Sequence, residues 1–208
     1  MKTIVCYGDS NTYGLDPASG KRHAPDVRWT GVLQAELGSG YRVIEEGLSG
    51  RTTNLEDIIE LNRNGLTYLA PCLESHAPIN LVTIMLGTND LKARFNRNAS
   101  DIAQSAGLLA NIARSMRVGP DDGPPKVLLM APPVVVGLTD LDGMFAGAIE
   151  KSKQFAHYYA IWAENNHVAF LDAGGVIVSS PIDGIHIDEQ EHAKLGRAVA
   201  AKVREIIG

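Results

Sequence analysis

The sequence predicts an α/β fold of three layers, in which a five-stranded parallel sheet lies between two layers of helices. Short apolar runs with strand character alternate with longer segments of helical periodicity, in the order β-α-β-α-β-α-β-α-β-α. Several of these runs are almost continuously apolar, which is typical of strands that are covered on both faces. Because a helix between two strands returns the chain in the same direction, the alternation favours one parallel sheet.

The candidate strands are short runs, apolar in all but the second, which alternates, and the first four end at glycine or proline. They occupy residues 2–7, 41–46, 80–86, 126–131 and 168–171. The first three stop at Gly8, Gly47 and Gly87, and the fourth stops at Pro132. Glycine and proline commonly interrupt regular structure, so each of these strands is expected to lead directly into a loop.

The helical segments are identified by apolar residues that recur every three or four positions. This pattern is clear over residues 99–116, where Ile102, Leu109 and Met116 share a face, and over residues 189–207. Residues 27–37, residues 144–165 and the stretch around Cys72 are the other predicted helices. Residues 118–125 and 137–143 are predicted as long loops, and long loops in compact domains are often functional.

Composition and charge exclude several classes of protein. The 208 residues are 45% hydrophobic and 21% charged, which suits one globular domain over residues 1–208. The net charge is −5 and no basic stripe is present, so no nucleic-acid partner is expected. No signal peptide and no membrane-spanning run of about 18 apolar residues is recognisable, so we expect a soluble cytoplasmic protein without a membrane partner. Cys6 and Cys72 are expected to be buried thiols.

Polar residues follow four of the five predicted strands. Ser10 follows the first strand, Gly50 the second and Asn89 the third, and Asp183 and His186 follow the fifth after a short loop. Ligands of an open parallel sheet bind outside the carboxyl ends of its strands. These residues are therefore expected to meet at one edge of the sheet.

Together these residues supply the components of a nucleophilic hydrolase. A serine such as Ser10 is inert until a base removes its proton, and histidine, here His186, is suited to that task. Asp183, three residues earlier, can accept a hydrogen bond from the histidine ring. The backbone N–H groups of Ser10 and Gly50 and the amide of Asn89 are candidate donors to an oxyanion. The sequence thus predicts an ester hydrolase that acts through acyl-Ser10.

The same four blocks resemble the SGNH/GDSL hydrolase superfamily. They read GDSNTYG, GLSGRTT, GTND and DGIH, and they occur in the family's order along the chain. The resemblance implies the flavodoxin-like fold of that family, with Ser10 as nucleophile, Gly50 and Asn89 as oxyanion donors, and Asp183 and His186 as the remaining triad members. The second and third blocks are similar to the bacterial arylesterase and acyltransferase branch, which implies acyl transfer to alcohols and assembly into a homo-oligomer.

The residues beside these blocks are the candidate walls of the substrate pocket. Asn11, Tyr13, Leu15 and Ile185 suggest a small acyl site of mixed polarity, suited to short aryl and alkyl esters. Asn11 replaces the leucine that the family name implies, and we expect this change to affect the pocket wall only. A carbohydrate deacetylase and a thioesterase with the same triad remain alternatives.

The same residues also allow other interpretations. Ser10 could only cap a helix, and His192 could compete as the base. A metal at Asp183, His186 and Asp188 lacks an evident fourth ligand, so neither a metal nor another cofactor is expected.

An alternative of another class is a flavodoxin-like binder of a phosphate or a nucleotide, held by the loop over residues 10–14 without covalent chemistry. Asp9 would place a carboxylate beside that phosphate, and the binder gives Asp183 and His186 no role. Asp9 either tunes the site or hydrogen-bonds the turn, Arg51 is a positioning residue or an ion-pair partner, and the role of Asp90 stays open.

Overall fold

The structure is a computed structural model that describes residues 1–208, and it confirms the predicted α/β architecture. Five strands form one parallel sheet. They are β1 (Lys2–Gly8), β2 (Tyr41–Gly47), β3 (Leu81–Met85), β4 (Lys126–Ala131) and β5 (Ala169–Asp172). Their order in the sheet is β2-β1-β3-β4-β5, the flavodoxin-like order, which reverses between β1 and β3.

Seven α-helices accompany the sheet. They are α1 (Ser10–Tyr13), α2 (Trp29–Leu37), α3 (Gly65–Ser75), α4 (Ala99–Ala113), α5 (Ala148–Ser152), α6 (Phe155–Asn166) and α7 (Glu189–Ile207). The single helix predicted over residues 144–165 is wrong, because this segment forms α5 and α6. Gly147 has a left-handed backbone (φ +79°), so no helix passes through it, and the Ser152 hydroxyl bonds the Ile149 carbonyl where α5 ends. The predicted helix over residues 99–116 ends earlier, at Ala113.

Alternate side chains of the strands pack against opposite layers of helices. In β1, Ile4 and Cys6 face α2 and α7, whereas Val5 and Tyr7 face α3, α4 and α6. Both cysteines are buried free thiols, as predicted. None of the helices combines the length and the apolar character that crossing a bilayer requires. The two cores cover both faces of the sheet, and the loops beyond its carboxyl edge carry the polar clusters.

Candidate active site

Ser10, His186 and Asp183 form one chain of hydrogen bonds at the carboxyl edge of the sheet. Ser10 Oγ lies 2.8 Å from His186 Nε2, and His186 Nδ1 lies 2.6 Å from Asp183 Oδ2. Ser10 begins α1 directly after β1, whereas the other two residues lie in the loop between β5 and α7. The fold therefore brings together the three groups that the sequence placed at separate strand ends, and the arrangement can move the serine proton to the imidazole.

The Asp183 carboxylate is fixed by the backbone of its own loop. Its Oδ1 accepts the N–H groups of Ile185 and His186, each at 2.9 Å, which leaves Oδ2 for the imidazole. Burial alone would raise the pKa of Asp183, but the hydrogen bonds from the His186 ring and from these two N–H groups lower it below its ordinary value. An ionised Asp183 only accepts hydrogen bonds, so it keeps the proton of His186 on Nδ1 and leaves Nε2 free to accept from Ser10.

Asp9, rather than Ser10, caps the short helix α1. Its carboxylate accepts the N–H of Asn11 at 3.0 Å, so the suggestion that Ser10 acts only as a helix cap is wrong. Burial of the Asp9 carboxyl raises its pKa to about 6. Asp9 thus hydrogen-bonds the turn and leaves the hydroxyl of Ser10 free for His186.

Asn11 and Tyr13, two of the four predicted pocket walls, lie outside the cleft that contains Ser10. Asn11 is only 1% exposed, and its amide donates to the Ile185 carbonyl at 3.2 Å. It therefore ties the nucleophile helix to the histidine loop, and the expectation that it shapes a pocket wall is wrong. Tyr13 is covered by the Arg22 guanidinium, 4.3 Å from the ring centre.

Three candidate oxyanion donors border the same cleft. Gly50 has a left-handed backbone (φ +82°) that glycine adopts without strain, and its N–H donates to no group of the protein. The Asn89 amide donates one proton to the Arg51 carbonyl at 3.2 Å, which leaves its second proton available. The backbone N–H of Ser10 opens α1 and has no acceptor within that helix. All three residues line the same cleft, so these donors lie on the side of the sheet that carries the Ser10 hydroxyl.

Arg51 holds the Gly50 loop against the ends of two strands. Its Nη1 donates to the Gly8 carbonyl at 2.9 Å and also to the Glu46 carbonyl, and its guanidinium lies 4.2 Å from the centre of the Tyr7 ring. Arg51 forms no ion pair, so of the two roles considered for it the structure supports positioning.

Asp90 links the second block to the third. It is fully buried and accepts the backbone N–H of Thr53 at 3.0 Å together with the Thr53 hydroxyl. Asp90 therefore has a structural role, because it ties the segment that follows Gly50 to the segment that contains Asn89, the other candidate oxyanion donor.

Burial raises the pKa of Asp90 from 3.8 to about 7, and this shift predicts a pH dependence of stability. Between about pH 4 and about pH 7 the folded chain keeps this proton while the unfolded chain releases it, so the free energy of unfolding falls as the pH rises through this range. We expect the difference in melting temperature between the wild type and Asp90→Asn, taken as wild type minus variant, to decrease as the pH rises from 4 to 8. A difference that is constant or that grows with pH would contradict the prediction.

The cleft beside Ser10 encloses about 340 Å³. Leu15 and Ile185 line it, as predicted. Sequence reasoning missed six lining residues, which are Ser49, Glu60, Lys92, Leu141, Met144 and Phe145. Leu141 lies in the loop 137–143, whose length could have indicated a functional loop. Nothing in the local sequence pattern indicated that Glu60 or Lys92 would line the cleft. A larger cavity of about 500 Å³ beyond Arg51 contains none of the triad residues.

The remaining alternatives do not fit the geometry. His192 is fully buried, its Nδ1 accepts the Trp29 N–H at 3.2 Å, and burial lowers its pKa to about 3, so it is not the base. Both ring nitrogens of His186 are engaged within the triad, which leaves neither for a metal shared with Asp188. A phosphate at the start of α1 would meet the Asp9 carboxylate, which argues against the non-enzymatic binder.

Comparison with known proteins gives consistent similarities. Residues 6–194 match the GDSL-like lipase/acylhydrolase family. The structure of the native aryl esterase of M. smegmatis is 43% identical, with 100% of both chains covered and a TM-score of 0.95. Est24, a carbohydrate acetylesterase from Sinorhizobium meliloti, is 41% identical, with the same coverage and a TM-score of 0.95. No match was found among curated proteins.

Proposed function

The chain belongs to the GDSL-like lipase/acylhydrolase family and is a serine ester hydrolase, and from this premise we propose that it cleaves esters of short acyl groups through acyl-Ser10. The observation that carries the proposal is the hydrogen-bonded chain from Ser10 through His186 to Asp183, beside a cleft bordered by Gly50 and Asn89. A nucleophile, a base, an orienting carboxylate and oxyanion donors are the groups that acyl transfer requires.

In the first half of the reaction, the Ser10 oxygen attacks the ester carbonyl carbon while His186 Nε2 takes the serine proton. The carbonyl oxygen becomes an oxyanion, which the N–H groups of Ser10 and Gly50 and the amide of Asn89 stabilise. His186 then protonates the oxygen of the departing alcohol, the carbon–oxygen bond breaks, and the acyl group stays on Ser10.

In the second half, a water molecule takes the place of the alcohol. His186 Nε2 accepts a proton from the water as its oxygen attacks the acyl carbon, and the same proton then returns to the Ser10 oxygen as the acid leaves. An alcohol can replace water in this step and give a new ester. Acyl transfer of this kind is part of the proposal, and it depends on how well the cleft holds an alcohol relative to water.

The walls of the cleft support a short acyl group. The volume of about 340 Å³ is small, and five lining residues are apolar, namely Leu15, Leu141, Met144, Phe145 and Ile185. The relatives are named as an aryl esterase and a carbohydrate acetylesterase, so acetate esters of phenols and of sugars are the substrates to compare first.

Acetyl and butyryl esters should be cleaved faster than octanoyl esters, and a strong preference for octanoyl would contradict a small acyl site.

A fluorophosphonate probe tests the proposed nucleophile directly. The probe is expected to label the wild-type chain at Ser10, and Ser10→Ala is expected to stay unlabelled because no activated hydroxyl remains. Labelling is read by mass spectrometry of the peptide that contains Ser10, alongside cleavage of phenyl acetate. Folded wild-type protein that takes up no probe and cleaves no acetate ester would overturn the proposed function.

Asn89→Ala is expected to lower kcat by roughly 10²- to 10³-fold, because it removes one donor to the oxyanion that forms only during the reaction. The KM for phenyl acetate should change much less, since the ground-state carbonyl needs this donor less. Asn111→Ala on α4 is the matched control, because Asn111 lies outside the cleft. Equal kcat values for Asn89→Ala and the wild type would exclude Asn89 as an oxyanion donor.

We infer further that the chain forms a homo-oligomer. Ile58, Ile59 and Leu61 are 87%, 70% and 67% exposed on the loop that also carries Glu60 into the cleft. Three neighbouring apolar side chains on one loop favour contact with a second copy. Light scattering during size exclusion should give a mass above 22.3 kDa for the wild type, and a lower mass when all three residues are serine. A monomeric wild type would contradict this.

A further inference from the structure

Three side chains with metal-ligating atoms meet where strand β2 ends beside helix α3. Glu46 is the last residue but one of β2, Cys72 lies in α3, and His76 follows that helix directly. One carboxylate oxygen, the thiol sulfur and one ring nitrogen of these residues all lie within 4.8 Å of one another. None of the three residues lines the cleft that contains Ser10. The cluster is therefore a group of reactive side chains that the proposed ester hydrolysis does not use.

The helix supplies two members of the cluster and the strand supplies the third. Cys72 and His76 are four positions apart, so their side chains project from the same side of α3. His76 Nε2 lies 2.7 Å from Glu46 Oε1, and the two side chains are 24% and 18% exposed. Cys72 is fully buried. The cluster thus has a buried sulfur on its inner side and two partly exposed ligands on its outer side.

This set of ligand atoms favours zinc. Thiolate and imidazole are the ligands that Zn²⁺ prefers and a carboxylate is a common third, whereas Mg²⁺ and Ca²⁺ take oxygen ligands. A tetrahedral zinc ion holds its ligand atoms roughly 3.5 Å apart, so the imidazole and the carboxylate have to separate slightly and the sulfur has to stay close. A cavity of about 500 Å³ is lined by Glu46 and Tyr68, so water can reach the fourth position of the ion.

The charges around the cluster also suit a divalent cation. Burial raises the pKa of the Cys72 thiol to about 12, and the Glu46 carboxylate contributes to the increase while Arg51 opposes it. A zinc ion bound to the sulfur stabilises the thiolate, and the thiolate and the carboxylate together neutralise the ion. Arg51 forms no ion pair with Glu46, because its guanidinium donates to the backbone carbonyls of Gly8 and Glu46 and lies on the Tyr7 ring. The Glu46 carboxylate is therefore available to the ion.

We propose that Glu46, Cys72 and His76 bind one Zn²⁺ ion, with water from the cavity as the fourth ligand. On binding, the Cys72 thiol releases its proton to the solvent, and no electron is transferred. His76 carries its remaining proton on Nδ1, so that Nε2 binds the ion in place of its hydrogen bond with Glu46. The ion links the end of β2 to the end of α3. It stabilises the fold and takes no part in the proton transfers of Ser10 and His186.

Cobalt tests the site, because Co²⁺ can take the place of Zn²⁺ and its bond to a thiolate gives an intense near-ultraviolet absorption band. The full chain is first freed of metal with a chelator. Titration of the folded wild type with Co²⁺ is expected to produce this band and to saturate at one ion per chain, and Zn²⁺ should then abolish the band. Zn²⁺ should also raise the melting temperature by about 5 to 10 °C at a free concentration of about 100 times its Kd.

Cys72→Ser and Cys6→Ser form a matched pair, because both cysteines are buried free thiols and Cys6 belongs to the core on the opposite face of the sheet. Cys72→Ser should lose the cobalt band and the zinc-dependent rise in melting temperature, whereas Cys6→Ser should keep both. Circular dichroism verifies that each variant is folded. A folded wild type that gives no thiolate band overturns the inference, and so does a band that persists in Cys72→Ser.

His76→Gln decides the question if Cys72→Ser does not fold. His76 is partly exposed, and glutamine can still form a hydrogen bond with Glu46, so this variant keeps the local contacts. Removing one of three protein ligands should lower the affinity for Zn²⁺ by about 100-fold, measured by competition with a chelating dye. An affinity equal to that of the wild type would show that zinc binds elsewhere.

Discussion

Alanine at Ser10 or at His186 is expected to lower kcat/KM for phenyl acetate by about 10⁴-fold or more. Ser10 Oγ and His186 Nε2 are 2.8 Å apart, and the proposed reaction requires both groups together. Without the serine no acyl-enzyme forms, and without the imidazole the hydroxyl keeps its proton at neutral pH. The loss should appear in kcat, because neither group is needed to bind the ground-state ester.

The double variant separates a cooperating pair from two independent contributions. Since the two side chains act as one unit, Ser10→Ala combined with His186→Ala should be about as inactive as either single variant. His157→Ala, an exposed histidine on α6, is the matched control and should retain wild-type kinetics. A loss of only a few-fold in His186→Ala would show that another group removes the serine proton.

Much of the fold could be predicted because parallel strands buried on both faces leave a simple pattern in the sequence. Most of the strands are short apolar runs, β1 and β2 end at a glycine, and β3 ends two residues before Gly87. The carboxyl ends of parallel strands share one edge, so residues directly after a strand have a predictable location. That rule located Ser10, Gly50 and Asn89 at the same edge without any knowledge of side-chain direction.

The parts that could not be predicted depend on side-chain direction and on contacts between loops. Asn11 follows Ser10 immediately, yet its amide turns inward to the Ile185 carbonyl instead of lining the cleft. Glu60 belongs to a loop remote from any strand end, and it lines the cleft while paired with Lys92 from another loop. Helix α5 begins only after the left-handed Gly147 and ends at Ser152, and the helical periodicity of the segment reveals neither boundary.

Asp183→Asn is expected to lower kcat by about 10⁴-fold although it changes the shape of the side chain very little. In the wild type Asp183 Oδ1 accepts two backbone N–H groups, from Ile185 and His186, and Oδ2 accepts the proton on His186 Nδ1. Asparagine has a single oxygen, which the two backbone donors will occupy. Its NH₂ group then faces Nδ1 and forces the imidazole proton onto Nε2, where it blocks proton transfer from Ser10.

Asp183→Ala is the contrasting variant. Compared with Asp183→Asn, it should be more active but less stable. Alanine leaves the imidazole free to carry its proton on either nitrogen, so its kcat should exceed that of Asp183→Asn. Alanine also removes the acceptor of two backbone N–H groups, so it should melt at the lower temperature of the two. If asparagine proves the more active replacement, the carboxylate does not act by keeping the proton on Nδ1. Its part in the site would then be limited to the backbone turn that precedes His186.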